Sequence, residues 1–308
     1  MTTRAVVFGY HDVGVRCLET LLSGEVEVPL VVTVRDDPTE TQWFGSVAAT
    51  AAEYGIETVM PADPNTPDMQ QRLAELQPDF IFSFYYRSLL GAALLRTARL
   101  GALNIHGSLL PRYRGRAPVN WAILHGEQET GATLHYMVDR ADAGDIVDQL
   151  AVPILVNDDA RAVYTKVTVA AEIILARSLP GLIAGTAARR TQPVEPGQYF
   201  GRRRPEDGRI DWSWSAGQIH NLVRAVAPPF PGAYANVGEQ RWFIQKTRVV
   251  PRTTAPSSQA RLVSVDGQCY VECCDGSVLH LIKVASQDGP LILRGLAAAL
   301  AKHPRALG

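Results

Sequence analysis

The chain has 308 residues, 46% hydrophobic and 20% charged, an ordinary globular composition with length enough for two domains. A formal net charge of −1 excludes an overall basic field that would gather nucleic acid, and no apolar run approaches the roughly 20 residues that span a bilayer. The opening Met1 to Phe8 goes straight into a strand pattern and not into a secretory leader, so a cytoplasmic protein is expected.

In chain order, Ala5 to Tyr10 is a short apolar strand ending at the turn His11-Asp12-Val13-Gly14, and Arg16 to Leu22 is helical. Val26 to Val34 is a β-branched strand. Gly45 to Tyr54 carries Ala and Val at helical spacing and stops at Gly55, and Met69 to Leu76 is an amphipathic helix closed by Pro78. Asp79 to Tyr85 and Gly101 to His106 are strands, Ala117 to His125 a helix, Ala132 to Asp139 a strand, and Leu155 to Leu179 a long helix. Strands alternating with helices predict an α/β fold, a Rossmann-like, mostly parallel sheet with flanking helices. From Gly185 to Gly201 the texture breaks at Arg189, Arg190, Pro193, Pro196 and Gly197. Beyond it, a helix over Ala216 to Val226 and short punctuated strands at 232–237, 241–250, 261–265, 268–274 and 277–284 predict a smaller β-rich, OB-like barrel. The organisation expected is a catalytic domain over 1–188, a linker over 189–203 and a β-rich domain over 204–308.

Cys17, Cys269, Cys273 and Cys274 match neither a zinc spacing nor a disulfide framework, so they are expected as small buried side chains, and no metal is expected. The turn Gly9-Tyr10-His11-Asp12-Val13-Gly14 lacks the G-x-G-x-x-G fingerprint, which disfavours a nicotinamide enzyme. The most informative stretch is Asn104-Ile105-His106-Gly107-Ser108-Leu109-Leu110-Pro111, followed by Arg112, Arg114 and Arg116. Asn104 and His106 stand two apart on a strand and so share a face at a strand end, where open α/β sheets hold ligands. An amide donor beside an imidazole can hold an oxyanion and move a proton. Asp139, Asp142 and Asp145 follow, and Asp142 is the best placed to orient the imidazole.

This set, with Arg114-Gly115 and Asp142-Ala143-Gly144-Asp145, resembles the family of formyltransferases that use 10-formyltetrahydrofolate. The resemblance implies that His106 transfers protons, Asn104 stabilises the tetrahedral oxyanion and Asp142 supports the histidine. It implies folate contacts at Ser88, Leu89, Leu90, Arg116, Val138, Asp139, Arg140, Ala141 and Asp142, with 10-formyltetrahydrofolate as co-substrate. Further segments, Val7 to Gly14, Phe82 to Arg87, Arg114 to Trp121 and Phe200 to Arg203, resemble the branch that formylates UDP-4-amino-4-deoxy-L-arabinose in lipid A modification and polymyxin resistance. In that branch the formyltransferase is joined to a decarboxylating dehydrogenase, whose activity is not expected of these residues. The acceptor is thus expected to be a small nucleotide sugar, with no nucleic-acid partner and no membrane insertion. Arg202 and Arg203 are candidates for its diphosphate, and Tyr10 and His11 for its sugar side.

Methionyl-tRNA formyltransferase is the chief alternative, but the loop Arg35-Asp36-Asp37-Pro38-Thr39-Glu40-Thr41 is acidic where a tRNA enzyme needs cations. An N-formyltransferase for another nucleotide amino sugar, such as a dTDP-linked hexose, is a further alternative. A non-catalytic folate binder would lack one of the three polar residues, and none is missing. A formate-releasing hydrolase is expected to carry an extra amino-terminal domain, for which there is no room before Ala5. His125 and His135 lie near the motif region and are expected at a helix end and on a strand face, while His220, His280 and His303 have no partner pattern and are expected to be structural or exposed.

Overall fold

The computed structural model describes residues 2–38, 40–193 and 199–307; Met1, Thr39 of the acidic loop, residues 194–198 of the expected linker and Gly308 lie outside the described residues. The chain forms two compact units. The first takes in the chain to Pro118, Glu129–Pro153 and Tyr164–Gly201, and the second Val119–Gln128, Ile154–Val163 and the chain from Arg202.

The first unit runs β1 (Arg4–Gly9), α1 (His11–Ser23), β2 (Glu27–Val32), α2 (Val47–Glu53), β3 (Glu57–Val59), α3 (Pro67–Leu76), β4 (Phe80–Phe84), α4 (Ala92–Leu95), β5 (Gly101–His106), β6 (Arg114–Gly115), α5 (Pro118–Leu124), β7 (Glu129–Tyr136), β8 (Ile146–Pro153), α6 (Ala160–Ile183) and β9 (Tyr199–Phe200), with α5 and the first turn of α6 counted in the second unit. Its sheet has the order β3-β2-β1-β4-β5-β7-β8. The first five strands in that order pair in parallel, as the alternation of strand and helix predicts, while β7 pairs antiparallel with β5 and β8 antiparallel with β7. The parallel strands read as unbroken apolar runs because both faces are covered. Phe8, Ile81, Phe82, Phe84 and Leu103 are fully buried or nearly so, each stabilising by about 1.5–3 kcal/mol on burial. Local chemistry sets the helix ends. Ser46 and Thr66 accept from the N–H groups of Ala49 and Met69 at the starts of α2 and α3, Pro67 opens α3, and Gln77 closes it in a left-handed conformation.

Three differences from the sequence reading have physical causes. β7 begins at Glu129, through Gly131, whose missing Cβ leaves room for the Leu150 carbonyl 2.2 Å from where that Cβ would sit. β8 was not expected, since Asp148 and Gln149 interrupt its apolar pattern; Arg177 answers Asp148, and Gln149 bonds to Leu110 and Thr133. The long helix starts at Ala160 and not at Leu155, because Asp158 accepts from the Leu155 N–H at 2.7 Å and Asp159 from the Ala162 N–H at 2.9 Å.

The second unit continues with α7 (Ala216–Ala225), β10 (Ala233–Val237), β11 (Gln240–Thr253), β12 (Ala260–Val265), β13 (Gln268–Glu272), β14 (Ser277–Ser286), β15 (Gly289–Pro290), α8 (Leu293–Leu300) and β16 (Arg305–Leu307). Its strands form an antiparallel half-barrel in the order β10-β11-β14-β13-β12-β16, with β15 on β14, which is the β-rich element expected. A reciprocal cap, Ser215 on the Gln218 N–H and Gln218 on the Ser215 N–H, starts α7. The Ala-rich α8 and the short β16 were not expected. Cys17, Cys269 and Cys273 are buried thiols, and burial pushes each pKa up.

Candidate active site

β5 brings Asn104 and His106 to the carboxyl end of the sheet of the first unit, and β7 lies antiparallel beside it with His135 directly opposite Asn104. The imidazole of His135 donates from Nδ1 to the Tyr136 carbonyl at 2.9 Å, so its Nε2 is an acceptor for the Asn104 amide at 3.1 Å. Burial lowers the His135 pKa to about 4 against the opposing pull of Asp142, which keeps the ring neutral and Nε2 able to accept. One N–H of Asn104 is thereby anchored, and an amide held in this way can present its second N–H to an acceptor.

His106 is 6% exposed and donates from Nε2 to the Tyr113 carbonyl at 2.9 Å. Its Nδ1 lies 3.5 Å from Asp142 Oδ1, which is also 3.7 Å from His135 Nε2. A proton taken at Nδ1 therefore gives an imidazolium held between a carbonyl and a carboxylate. Of the three aspartates, Asp142 is the one that meets the imidazole, while Asp139 is exposed.

The loops that carry these groups are tied down. Asp142 sits at φ +53° and its Oδ2 accepts from the Gly115 N–H at 2.9 Å. Gln192 donates to the carbonyls of Asp142 at 3.1 Å and Gly144 at 2.6 Å. A Cβ at Gly144 would lie 1.9 Å from the Tyr136 carbonyl oxygen, so this position admits glycine alone. Thr133 donates to the Ser108 carbonyl at 2.6 Å and accepts from the Leu110 N–H at 3.1 Å, while Ser108 Oγ donates to the Arg112 carbonyl at 2.6 Å. Arg114, 1% exposed, has its pKa lowered by burial and by Arg140, with Asp142 favouring its charge.

The residues expected at a folate slot are dispersed in character. Leu89 is 68% exposed and Ser88 half-buried, whereas Leu90 faces the sheet core with Val6, Phe8 and Leu94. Asn65, which sequence reasoning missed, clamps their backbone by donating to the Leu89 carbonyl at 3.0 Å and accepting from the Gly91 N–H at 2.6 Å. Val138, Asp139, Arg140 and Arg116 are exposed, and Ala141 is half-buried beside Asp142. The Arg116 N–H donates to the Phe200 carbonyl at 2.9 Å.

Among the acceptor candidates, Tyr10 is buried and donates to Asp36 Oδ1 at 2.8 Å, with the Arg87 guanidinium 4.6 Å above its ring. Burial, then the bond to Asp36, raises its pKa to about 12. His11 is enclosed by Trp43, Phe44, Tyr85 and Tyr164, and burial lowers its pKa to about 4. In the second unit Arg202 is exposed, while Arg203 lies 4.8 Å over the Trp121 ring and donates to the Asp207 carbonyl at 2.9 Å.

His135 and Gln192 were missed as site residues. His135 was legible once β7 is registered against β5, since it falls opposite Asn104; nothing local marks Gln192, which arrives from 48 residues beyond Gly144. Among the described residues no group of three or more His, Cys, Asp or Glu is placed to hold a metal ion, and no helix is long and apolar enough to cross a membrane.

The profile of the family described as Formyl transferase matches residues 3–179, and that of Formyl transferase, C-terminal domain, matches 203–293. Among solved structures, the fold is similar to an N-formyltransferase from Helicobacter canadensis in complex with folinic acid and dTDP-3-aminofucose, at 21% identity and a TM-score of 0.72, over 91% of this chain and 99% of that one. It is similar to WlaRD, a sugar 3N-formyl transferase in the presence of dTDP and 5-N-formyl-THF, at 20% identity and a TM-score of 0.71, over 95% and 99%. It also matches HypX from Aquifex aeolicus in complex with tetrahydrofolic acid, at 18% identity and a TM-score of 0.63, over 98% of this chain but 48% of that one.

Proposed function

The chain belongs to the formyl transferase family, and from that premise we propose that it moves the formyl group of 10-formyltetrahydrofolate to the 4-amine of UDP-4-amino-4-deoxy-L-arabinose. The observation that carries the reading is the convergence of Asn104, His106 and Asp142, with His106 Nδ1 3.5 Å from the carboxylate. The neutral amine attacks the formyl carbon, and the carbonyl oxygen becomes an oxyanion that the second N–H of Asn104 stabilises. His106 takes the amine proton at Nδ1, with Asp142 and the Tyr113 carbonyl holding the resulting cation. The carbon–N10 bond breaks as that proton passes to N10, leaving tetrahydrofolate and a formamide.

The folds of two sugar N-formyltransferases, crystallised with folates and with dTDP or a dTDP-sugar, support a nucleotide-linked amino sugar as acceptor class. The same neighbours favour a second reading, a dTDP-linked amino hexose. Segments 7–14, 82–87, 114–121 and 200–203 favour the arabinose sugar. Mass analysis after incubation with 10-formyltetrahydrofolate and, separately, UDP-4-amino-4-deoxy-L-arabinose, dTDP-amino sugars and methionyl-tRNA tests this. A formylated UDP-sugar is expected; formylation of tRNA alone, or of none, overturns it.

A further inference from the structure

The turn after β1 and the end of β2 carry features that the formyl-transfer chemistry leaves unused. Gly9, His11 and Gly14 have the spacing of G-x-G-x-x-G with histidine in the middle place. His11 has φ +65°, a backbone conformation that favours glycine. A Cβ on Gly14 would lie 3.2 Å from the Gly9 carbonyl carbon, so Gly14 permits close packing of α1 on β1, the role of the third glycine in that fingerprint. The His11 ring stands where the middle glycine of such folds lets a pyrophosphate approach the backbone, which excludes a dinucleotide in its usual place.

Beside this turn a cavity of about 180 Å³ opens, lined among others by Val34, Asp36, Gln42, Phe44, Val47 and Met60. That exceeds the roughly 150 Å³ that takes one six-membered aromatic ring. Phe44, Val47 and Met60 contribute apolar surface to its lining, and Asp36 contributes a carboxylate. Tyr10 fixes one oxygen of that carboxylate and leaves further lone pairs for other donors. An acidic side chain just past the second strand of an open parallel sheet is where a ribose hydroxyl is read.

We propose that this cavity is the nucleoside subsite of the acceptor, with a pyrimidine against Phe44, Val47 and Met60 and the 2′- and 3′-hydroxyls of a ribose donating to Asp36. The inference rests on the reading that the acceptor is nucleotide-linked. The sheet order sets β2 three strand spacings from β5, roughly 14 Å, a span of the order of a nucleoside diphosphate. Arg35, also lining the cavity, offsets the charge of Asp36 as the phosphates pass. Because a carboxylate that accepts from a vicinal diol loses a partner when the 2′-hydroxyl is missing, the site selects UDP-linked over dTDP-linked sugars.

Calorimetric titration of the whole chain with UDP and with 2′-deoxy-UDP tests this. UDP is expected to bind at least tenfold more tightly; Asp36→Asn should erase that preference, and Ala48→Phe, which fills the cavity, should weaken UDP binding tenfold with folate binding unchanged. Equal affinity for the two nucleotides, or UDP binding untouched in both variants, overturns the subsite. If a UDP-amino sugar is formylated with a KM that neither variant alters, the subsite fails while the proposed activity stands. If UDP binds with the expected preference but no amino sugar is formylated, the activity fails while the subsite stands.

Discussion

At the scale of single residues, the proposed chemistry depends on where one amide hydrogen points. Asn104 spends one N–H on His135, and the proposed mechanism requires the other for the oxyanion. Asn104→Ala is expected to cost on the order of 10²–10³ in kcat, with KM for folate little changed and the far-ultraviolet spectrum native. In the proposed mechanism His135 touches no reacting atom and is a positioning residue that acts through Asn104. His135→Ala should lower kcat about tenfold by letting the amide rotate, and His135→Gln, which restores an acceptor, should recover most of the loss. A kcat in His135→Ala equal to wild type would place the anchoring elsewhere.

At the scale of elements, the site depends on loops held by buried hydrogen bonds. Thr133 on β7 is fully buried and serves the Ser108 carbonyl, the Leu110 N–H and the Gln149 amide at once. Thr133→Val keeps the shape and leaves those groups without the hydroxyl, so a loss of about 1–3 kcal/mol in denaturant unfolding is expected, with a lower kcat as the 107–112 loop loosens. Gly144→Ala drives a Cβ into the Tyr136 carbonyl and should likewise displace Asp142; stability and kcat fall together, whereas an unchanged kcat would separate the loop from the chemistry. These ties also show what was readable beforehand. Asn104 and His106 were legible because a strand's period of two puts them on one face, and the parallel strands because burial on both faces leaves apolar runs. Asp142 was singled out from three aspartates and is the one that meets His106. β8 was hidden because tertiary partners, Arg177 and Thr133, satisfy polar residues that break its pattern. The contribution of His135 was hidden because a cross-strand neighbour is a property of register, which no local spacing carries.

At the scale of the whole molecule, both units bury imidazoles that must stay neutral. Burial lowers the pKa of His11 and His135 to about 4 in the first unit, and lowers that of His220 in the second, where its ring is bonded to Thr247 and the Val156 carbonyl. An unfolded histidine titrates near 6.5. Between about pH 6.5 and pH 4 the unfolded chain therefore binds protons that the native chain refuses, and stability must fall as pH falls through that window. Below about pH 4 the native rings charge as well and this contribution flattens. The expected result is a denaturant midpoint that drops steadily from pH 7 to pH 4.5, with a shallower drop in His11→Asn, where one of the refusing imidazoles is gone. The same protonation frees His135 Nε2 from its acceptor role, so kcat in the acid range should collapse near pH 4 independently of unfolding. A midpoint that holds constant across the window would mean that these rings are charged in the native protein, and with them the anchoring of Asn104 would have to be abandoned.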